Sequence, residues 1–260
     1  MKKIISTLTI ASFLSGQTGF AQRKPFVFTP DKEWHYLGAG VGLPLPSFID
    51  YEYRLNNWSY GGEIGLIHTN LLINLKKPKN SDPGNNYVRD HLKSGISYSL
   101  NLKYHFSEKI NSFFIDGHIR LIKVGFSSDT PRGIINVFAS DHLIEIEEKL
   151  ENNEILNRFL GGKEFLDKTS LNPGVSLYMF GLSFGRRFNI TKKLLFEPQI
   201  LFDFKINQSA QIKFDSDSPR IDKILSNQIS PYITKSLKNQ NILNVLPSLG
   251  FGLRYELKRK

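Results

Sequence analysis

The sequence predicts an all-β fold: a closed antiparallel eight-stranded transmembrane β-barrel with short helices in its long extracellular loops. Three observations predict it. Eight segments alternate apolar and polar residues, the connections between them are short and long in turn, and aromatic residues gather beside the short ones. Alternation of period two marks a strand with one apolar face. About ten residues is the length of a tilted strand crossing a bilayer. One such segment is weak evidence, but a succession of them is not.

The chain opens with Lys2 and Lys3, an apolar stretch from Ile4 to Leu14, then Gly16, Gly19 and Phe20-Ala21-Gln22. A short positive region, an apolar core and small residues are the order of a cleavable secretory signal. The core is far shorter than the roughly 20 residues a membrane helix needs. Residues 1–22 are therefore read as a signal peptide and 23–260 as a single barrel domain. Cleavage removes two lysines and lowers the formal charge from +10 to +8 (10 − 2). With no cysteine, the chain has no disulfide framework and no thiolate nucleophile.

The predicted strands run, in order, Trp34 to Leu43, Phe48 to Leu55, Trp58 to Thr69, Ile96 to Phe106, Phe113 to Phe126, Val175 to Phe188, Phe196 to Ile206 and Val245 to Leu257. The clearest alternation is Ile96, Tyr98, Leu100, Leu102, Tyr104 and Phe106 against Ser97, Ser99, Asn101, Lys103 and His105. Asn56-Asn57, Ser107 to Ser112 and Asn189 to Lys193 are short connections, whereas 76–93, 127–174 and 207–244 are long. Pro44 to Ser47 is the brief exception. This alternation is the pattern of periplasmic turns and extracellular loops, and an even strand number leaves both ends in the periplasm.

Two features assign the faces. The face opposite the apolar one carries Gly38, Gly40, Gly42, Gly61, Gly65, Gly181, Gly185, Gly250 and Gly252. Glycine weakens a strand unless something comes close, as in the crowded interior of a small barrel. The same face holds a polar network expected in the lumen: Asp50, Glu52, Arg54, Glu63, Asp116, His118, Arg120, Asp203, Lys205 and Arg254. Both signs are present, as buried charges require. On the apolar face, Tyr53, Trp58, Tyr60, Tyr104, Phe106, Phe113, Phe184, Phe188, Phe196 and Tyr255 all fall near the short turns. That placement is an interfacial aromatic girdle.

The long loops carry amphipathic pieces. Ser140 or Asp141 caps a helix bearing Leu143, Ile146 and Leu150, with Glu145 and Lys149 as an i,i+4 pair, and Asn152-Asn153 interrupts it. Ser218-Pro219 starts another, with Ile221, Ile224, Leu225 and Ile229, before Pro231. These faces need an apolar partner, which is either each other across the barrel mouth or a second protein.

Little in the chain reads as chemistry. Asp116-Gly-His118 puts a carboxylate and an imidazole on one strand face, which any polar lumen strand also does. His68-Thr69-Asn70 is only faintly similar to the His-x-Ser-Asn motif of lipid A deacylases, with a different spacing and no serine. No catalytic residue, metal ligand or cofactor site is assigned, and the scattered positive charge has no nucleic-acid motif beside it.

The signal, the eight alternating segments and the last strand, Leu249-Gly-Phe251-Gly-Leu253-Arg-Tyr255-Glu-Leu257, resemble the small outer-membrane β-barrel proteins of Bacteroidota. The plan is similar to the OmpX, OmpW and PorT-like groups, except that the chain ends Lys258-Arg259-Lys260 where an aromatic residue is usual. The resemblance implies an outer-membrane location, with outer-membrane lipid, the barrel-assembly machinery and another envelope protein at the long loops as partners. It implies a non-enzymatic barrel for structure, interaction or narrow transport, its lumen largely filled by paired polar side chains. A lipid-modifying enzyme acting at the barrel mouth and a soluble lipocalin-like ligand-binding barrel are the alternatives.

Overall fold

A computed structural model describes residues 32–43, 47–67, 86–87, 90–154, 157–158, 164–215, 219–239 and 244–259. The signal-peptide segment, His68-Thr69-Asn70 and Ser218 lie outside the described residues.

Eight strands form one antiparallel ring. They are β1 (Glu33–Leu43), β2 (Ser47–Leu55), β3 (Trp58–Ile67), β4 (Leu92–His105), β5 (Phe113–Phe126), β6 (Ser170–Arg186), β7 (Leu194–Asp215) and β8 (Val245–Arg259). Each pairs with its neighbours in sequence, β1 pairs with β8, and β6 pairs with β7, so no edge is left open. A two-residue continuation of β6, Phe188–Asn189, pairs with Leu195 and Phe196 of β7. The β2–β3 hairpin turns at Asn56-Asn57, where Asn56 takes a φ of 53°, the left-handed backbone that asparagine tolerates in a two-residue turn.

The pleat sets the two faces. Along β4 the outward Ile96, Tyr98, Leu100 and Leu102 are exposed while Ser97, Ser99, Lys103 and His105 are buried. Leu100, 72% exposed, is among the barest large apolar side chains. Every strand contributes to the same outward apolar belt. On β7 it runs from Phe196 to Ile206, which at ~3.4 Å per residue and a tilt of about 40° spans ~26 Å. That matches the ~25 Å apolar band of outer-membrane-type barrels.

Above the belt the pleat reverses its chemistry. On β5 the outward Lys123 is exposed while Ile122, Val124 and Phe126 turn inward and are buried. On β6 the outward positions become Asn172, Gly174 and Ser176, with Leu171, Val175 and Leu177 inside. On β7 the change coincides with a bulge: Tyr178 pairs with Asn207 but Met179 with Lys205, leaving Ile206 as the extra residue. One inserted residue moves every later side chain to the other face.

This bulge corrects two expected loop boundaries. β7 continues past Asn207 to Asp215, and β6 begins at Ser170 rather than Val175, so the β6–β7 hairpin projects beyond the belt. Likewise β4 begins at Leu92. Asn172-Pro173-Gly174 and Asn207-Gln208-Ser209 have turn composition, but pairing with the facing strand overrides it.

The connections hold α1 (Pro131–Phe138), a 3₁₀ turn (Ser140–His142), α2 (Leu143–Glu151), α3 (Phe165–Lys168), α4 (Pro219–Gln228) and α5 (Ser230–Asn239). Thr130 caps α1, its hydroxyl accepting from the Gly133 N–H at 3.1 Å, with Pro131 in the first turn. Ser140 and Asp141 do not cap α2 as the sequence suggests. They form the 3₁₀ turn, and His142 is the capping residue without a side-chain bond.

Candidate functional site: the lumen and its loop cap

Inward-pointing side chains build the lumen in layers. At the short-turn end Arg54 donates to the Asn56 carbonyl at 2.7 Å and to the Ser107 carbonyl at 2.8 Å, tying two turns together. Its guanidinium lies 5.0 Å from the centre of the buried Trp34 ring. Trp34, Tyr36 and Leu195 fill the space beside it.

The next layer is ionic. Glu52, Glu197 and Asp50 face Arg187, Arg254 and Lys103, three carboxylates against three cations, all buried. Arg187 Nη2 reaches Glu52 at 2.8 and 3.0 Å and Glu197 at 2.6 Å. Lys103 Nζ is 2.5 Å from Glu197 and 3.4 Å from Glu52. Arg254 pairs with Asp50, and with Glu52 at 3.2 Å and Glu197 at 3.0 Å. Every charge has an opposite partner, the condition under which ions survive burial. The side chains also stack: Lys103 over Phe114 at 4.8 Å and Arg187 over Tyr36 at 4.9 Å.

A third layer centres on Asp203. It accepts from His118 Nε2 at 2.7 Å and from Arg120 at 2.7 Å, and Arg120 lies 3.4 Å from Glu63. Asp116 is 3.5 Å from His118 Nδ1 and accepts from the Ser183 hydroxyl at 3.2 Å. Gly181 makes room: a Cβ there would lie 2.1 Å from His118 Nε2. Gly38 does the same for Asp50, whose carboxylate would be 2.0 Å away.

Above this layer the lumen changes character. Ile67, Ile122, Val124, Phe126, Val175, Leu177, Met179 and Leu246 form a buried apolar plug. The expected filling by paired polar groups therefore describes only the half of the lumen nearer the short turns. The physical reason is the inversion above the belt: where outward positions meet water, the inward ones become the core. Beside the third layer a cavity of about 10 Å³ remains, next to Gly42, Phe48, Glu63, Arg120 and Gln199. That is at the lower limit of the ~10–15 Å³ a single water occupies.

Of the expected lumen residues, Asp50, Glu52, Arg54 and Arg254 lie in the lower layers, and Glu63, Asp116, His118, Arg120 and Asp203 in the third. Lys205 sits at the bulge, donating to Gln208 at 3.2 Å, outside the two ionic layers. Sequence reasoning misses Arg187 and Glu197, which are central to the network, and places Lys103 and His105 on the polar face without including them in it. Their signal is parity alone: Arg187 shares a face with Gly181 and Gly185, and Glu197 lies between Phe196 and Pro198.

Ser59, His105 and Glu52 come together without forming a relay. Ser59 Oγ is 2.8 Å from His105 Nε2, and Glu52 approaches that same nitrogen at 3.9 Å. His105 Nδ1 faces Ser112 at 3.4 Å instead. A catalytic triad needs the carboxylate on the nitrogen opposite the nucleophile.

The expected girdle residues stand outward at the short-turn end. Trp58 packs edge-on to Tyr104 at 5.0 Å, Tyr104 on Phe106 at 5.7 Å, and Phe113 stacks on Phe184 at 5.8 Å. Phe196 lies between Phe188 and Phe251 at 6.5 and 6.4 Å. Tyr53 packs against His35 at 5.1 Å, Lys193 lies 6.0 Å from the Tyr255 ring, and Tyr60 is exposed.

At the opposite end the loops fold into a cap. Tyr87, Ile134, Ile135, Phe138, Ile146, Leu150, Leu166, Leu225, Ile229 and Ile233 form one buried cluster with Leu171 and Phe214 of the projecting hairpin. Leu171 and Phe214 point inward, so the helices sit on the lumen side of that hairpin. Ala210 packs against both this cluster and the plug, joining cap to barrel. Two polar ties reinforce it. Arg132 bonds Glu147 and, at 2.8 Å, Asp167. Glu145 accepts from Lys149 and from the Tyr232 hydroxyl, both at 2.8 Å, linking α2 to α5. Those donors, with His142, hold the Glu145 carboxyl down at about 2. Burial and the adjacent Asp129 carboxylate push the Tyr87 hydroxyl up.

No protein-family model matches the sequence, and no curated protein matches it. Among solved structures, the chain is similar to the N-terminal β-barrel domain of OprF from Pseudomonas aeruginosa, at 6% identity and a TM-score of 0.42 over 87% of this chain and 97% of that one. It is also similar to Neisserial surface protein A, at 11% identity and 0.38 over 87% and 96%. A major outer membrane protein from Thermus thermophilus gives 10% and 0.43 over 88% and 100%.

Proposed function

We propose that this chain is a sealed, non-enzymatic barrel of the bacterial outer membrane that holds a folded loop cap on the cell surface. The role is structural or one of interaction, and the group is that of the small outer-membrane barrels of Bacteroidota. The observation that carries the proposal is a lumen filled over its whole height, ionic toward the turns and apolar toward the loops. Among the described residues this filling leaves no path for a solute, which argues against narrow transport.

The apolar belt supports a membrane location, because a soluble ligand-binding barrel would put its polar face outside. The N-terminal signal pattern supports export, and the barrel-assembly machinery is then the route of insertion. Among the described residues no nucleophile and base stand in the relay geometry a lipid-modifying role needs: Ser59 and His105 are fully buried and wrongly ordered, and His68-Thr69-Asn70 lies outside those residues. The folded cap is the surface available to another envelope protein. The test is single-channel recording of purified protein in planar bilayers. Rare, small openings at most are expected, whereas steady porin-like conductance would overturn a sealed lumen.

A further inference from the structure

The lipid-facing girdle is interrupted at Pro198. Its outward neighbours are large aromatic and aliphatic side chains, so the short pyrrolidine ring leaves a notch. The ladder bonding also lapses there, although the register is unchanged on either side. Pro198 has no N–H to donate, and the β6–β7 ladder stops at Gly185 opposite Gln199, resuming only at Phe188 opposite Phe196. The result is an apolar groove of about 240 Å³ between Phe184, Ile200, Leu249 and Phe251, with Pro198 and Arg186 in its lining.

Arg186 is the unusual member. Its guanidinium lies 4.7 Å from the centres of both the Phe113 and Phe188 rings. The rings hold the fork in place by its faces and leave its N–H edges free. Among the described residues it forms no ion pair with a carboxylate. It stands on the outward face at girdle depth, where the commonest anion is a lipid phosphate, and a guanidinium fork matches phosphate oxygens.

We propose that this groove binds one phospholipid of the periplasmic leaflet, with an acyl chain along the Pro198 notch and the headgroup phosphate on Arg186. The assignment rests on the membrane reading above. It goes beyond it by naming a lipid class and a fixed site on an otherwise uniform belt.

The test uses the full-length mature protein in non-ionic detergent, titrated with phosphatidylglycerol, with bound lipid counted by native mass spectrometry. Wild type is expected to retain one phosphatidylglycerol at low lipid ratios. Arg186→Gln should weaken retention about tenfold or more, the scale of a lost charge-assisted bond. Pro198→Phe, which fills the notch and keeps the cation, should weaken it too, while Lys123→Gln, above the belt, should not. Diacylglycerol, lacking phosphate, should bind as weakly as phosphatidylglycerol binds Arg186→Gln, and millimolar inorganic phosphate should not compete. Wild-type retention by Arg186→Gln, equal binding of diacylglycerol, or displacement by free phosphate would each overturn the site. Failure of the wild type to fold into phosphatidylcholine vesicles would strike the membrane reading itself, and the site with it.

Discussion

Arg187 and Glu52, 135 positions apart in the chain, meet through two hydrogen bonds of 2.8 and 3.0 Å in the ionic half of the lumen. Neither is exposed, and each has a second partner of opposite charge in Glu197 and Arg254. Removing Arg187 leaves Glu52 and Glu197, both buried, to share only Lys103 and Arg254, with one cation too few in the layer. Arg187→Ala should cost about 3–5 kcal/mol in urea unfolding of vesicle-inserted protein. Arg186→Ala, one residue away on the outer face, should cost far less. Equal losses would show that the ionic layer is not the sealed core described here.

The eight-stranded ring was legible because period-two alternation survives in every strand of the belt. The lumen network was only partly legible. Asp50, Glu52 and Arg54 announce themselves by alternating with Ile49, Tyr51 and Tyr53, but Arg186-Arg187 reads as a charged strand end, and only counting from Gly181 and Gly185 places one residue inside. The projecting hairpin was hidden by the bulge at Ile206, which breaks the phase of the alternation so that its continuation looks like loop. The apolar plug was hidden by the same inversion. α1 was not among the expected helices: Thr130-Pro131 is a cap and first-turn pair, but Pro131-Arg132-Gly133 has turn composition.

The belt has an upper limit that mutations can locate. Leu100→Arg places a charge near the middle of the belt and should cost roughly 2–4 kcal/mol of insertion free energy. Lys123 also faces outward, but above the inversion, so Lys123→Ala should insert like wild type. Folding yield into vesicles, read by heat-modifiable gel mobility, separates the two. Indifference to Leu100→Arg would mean that this face does not meet lipid.

The apolar plug stabilises the barrel independently of the ions beneath it. Leu177→Ala, at a fully buried position, should cost about 2–5 kcal/mol. Conductance should stay closed, because the ionic layer still blocks the path. A variant that conducts would make the plug the sole barrier.

The cap carries a pH-dependent tie. Glu145 is ionised down to about 2 when held by Lys149, Tyr232 and His142, against an ordinary value of 4.5. A carboxyl lowered on docking contributes stability above its undocked value and loses it as pH falls through the docked one. The α2–α5 tie should therefore be intact at neutral pH and weaken progressively between about 4.5 and about 2. Protection factors across residues 143–151, taken against the intrinsic exchange rate at each pH, should fall over that window, and Glu145→Gln should lower them already at pH 7. Unchanged exchange in that variant would assign the docking to the apolar cluster alone.

Sidedness tests the central claim of a membrane-spanning barrel with its cap outside. The chain has no cysteine, so single-cysteine variants report one position each. Ile144, 73% exposed on α2, marks the cap, and Asn57 marks a short turn. On intact cells an impermeant maleimide should label Ile144→Cys and leave Asn57→Cys untouched until the outer membrane is opened. Labelling of Asn57→Cys on intact cells, with Ile144→Cys protected, would contradict the account.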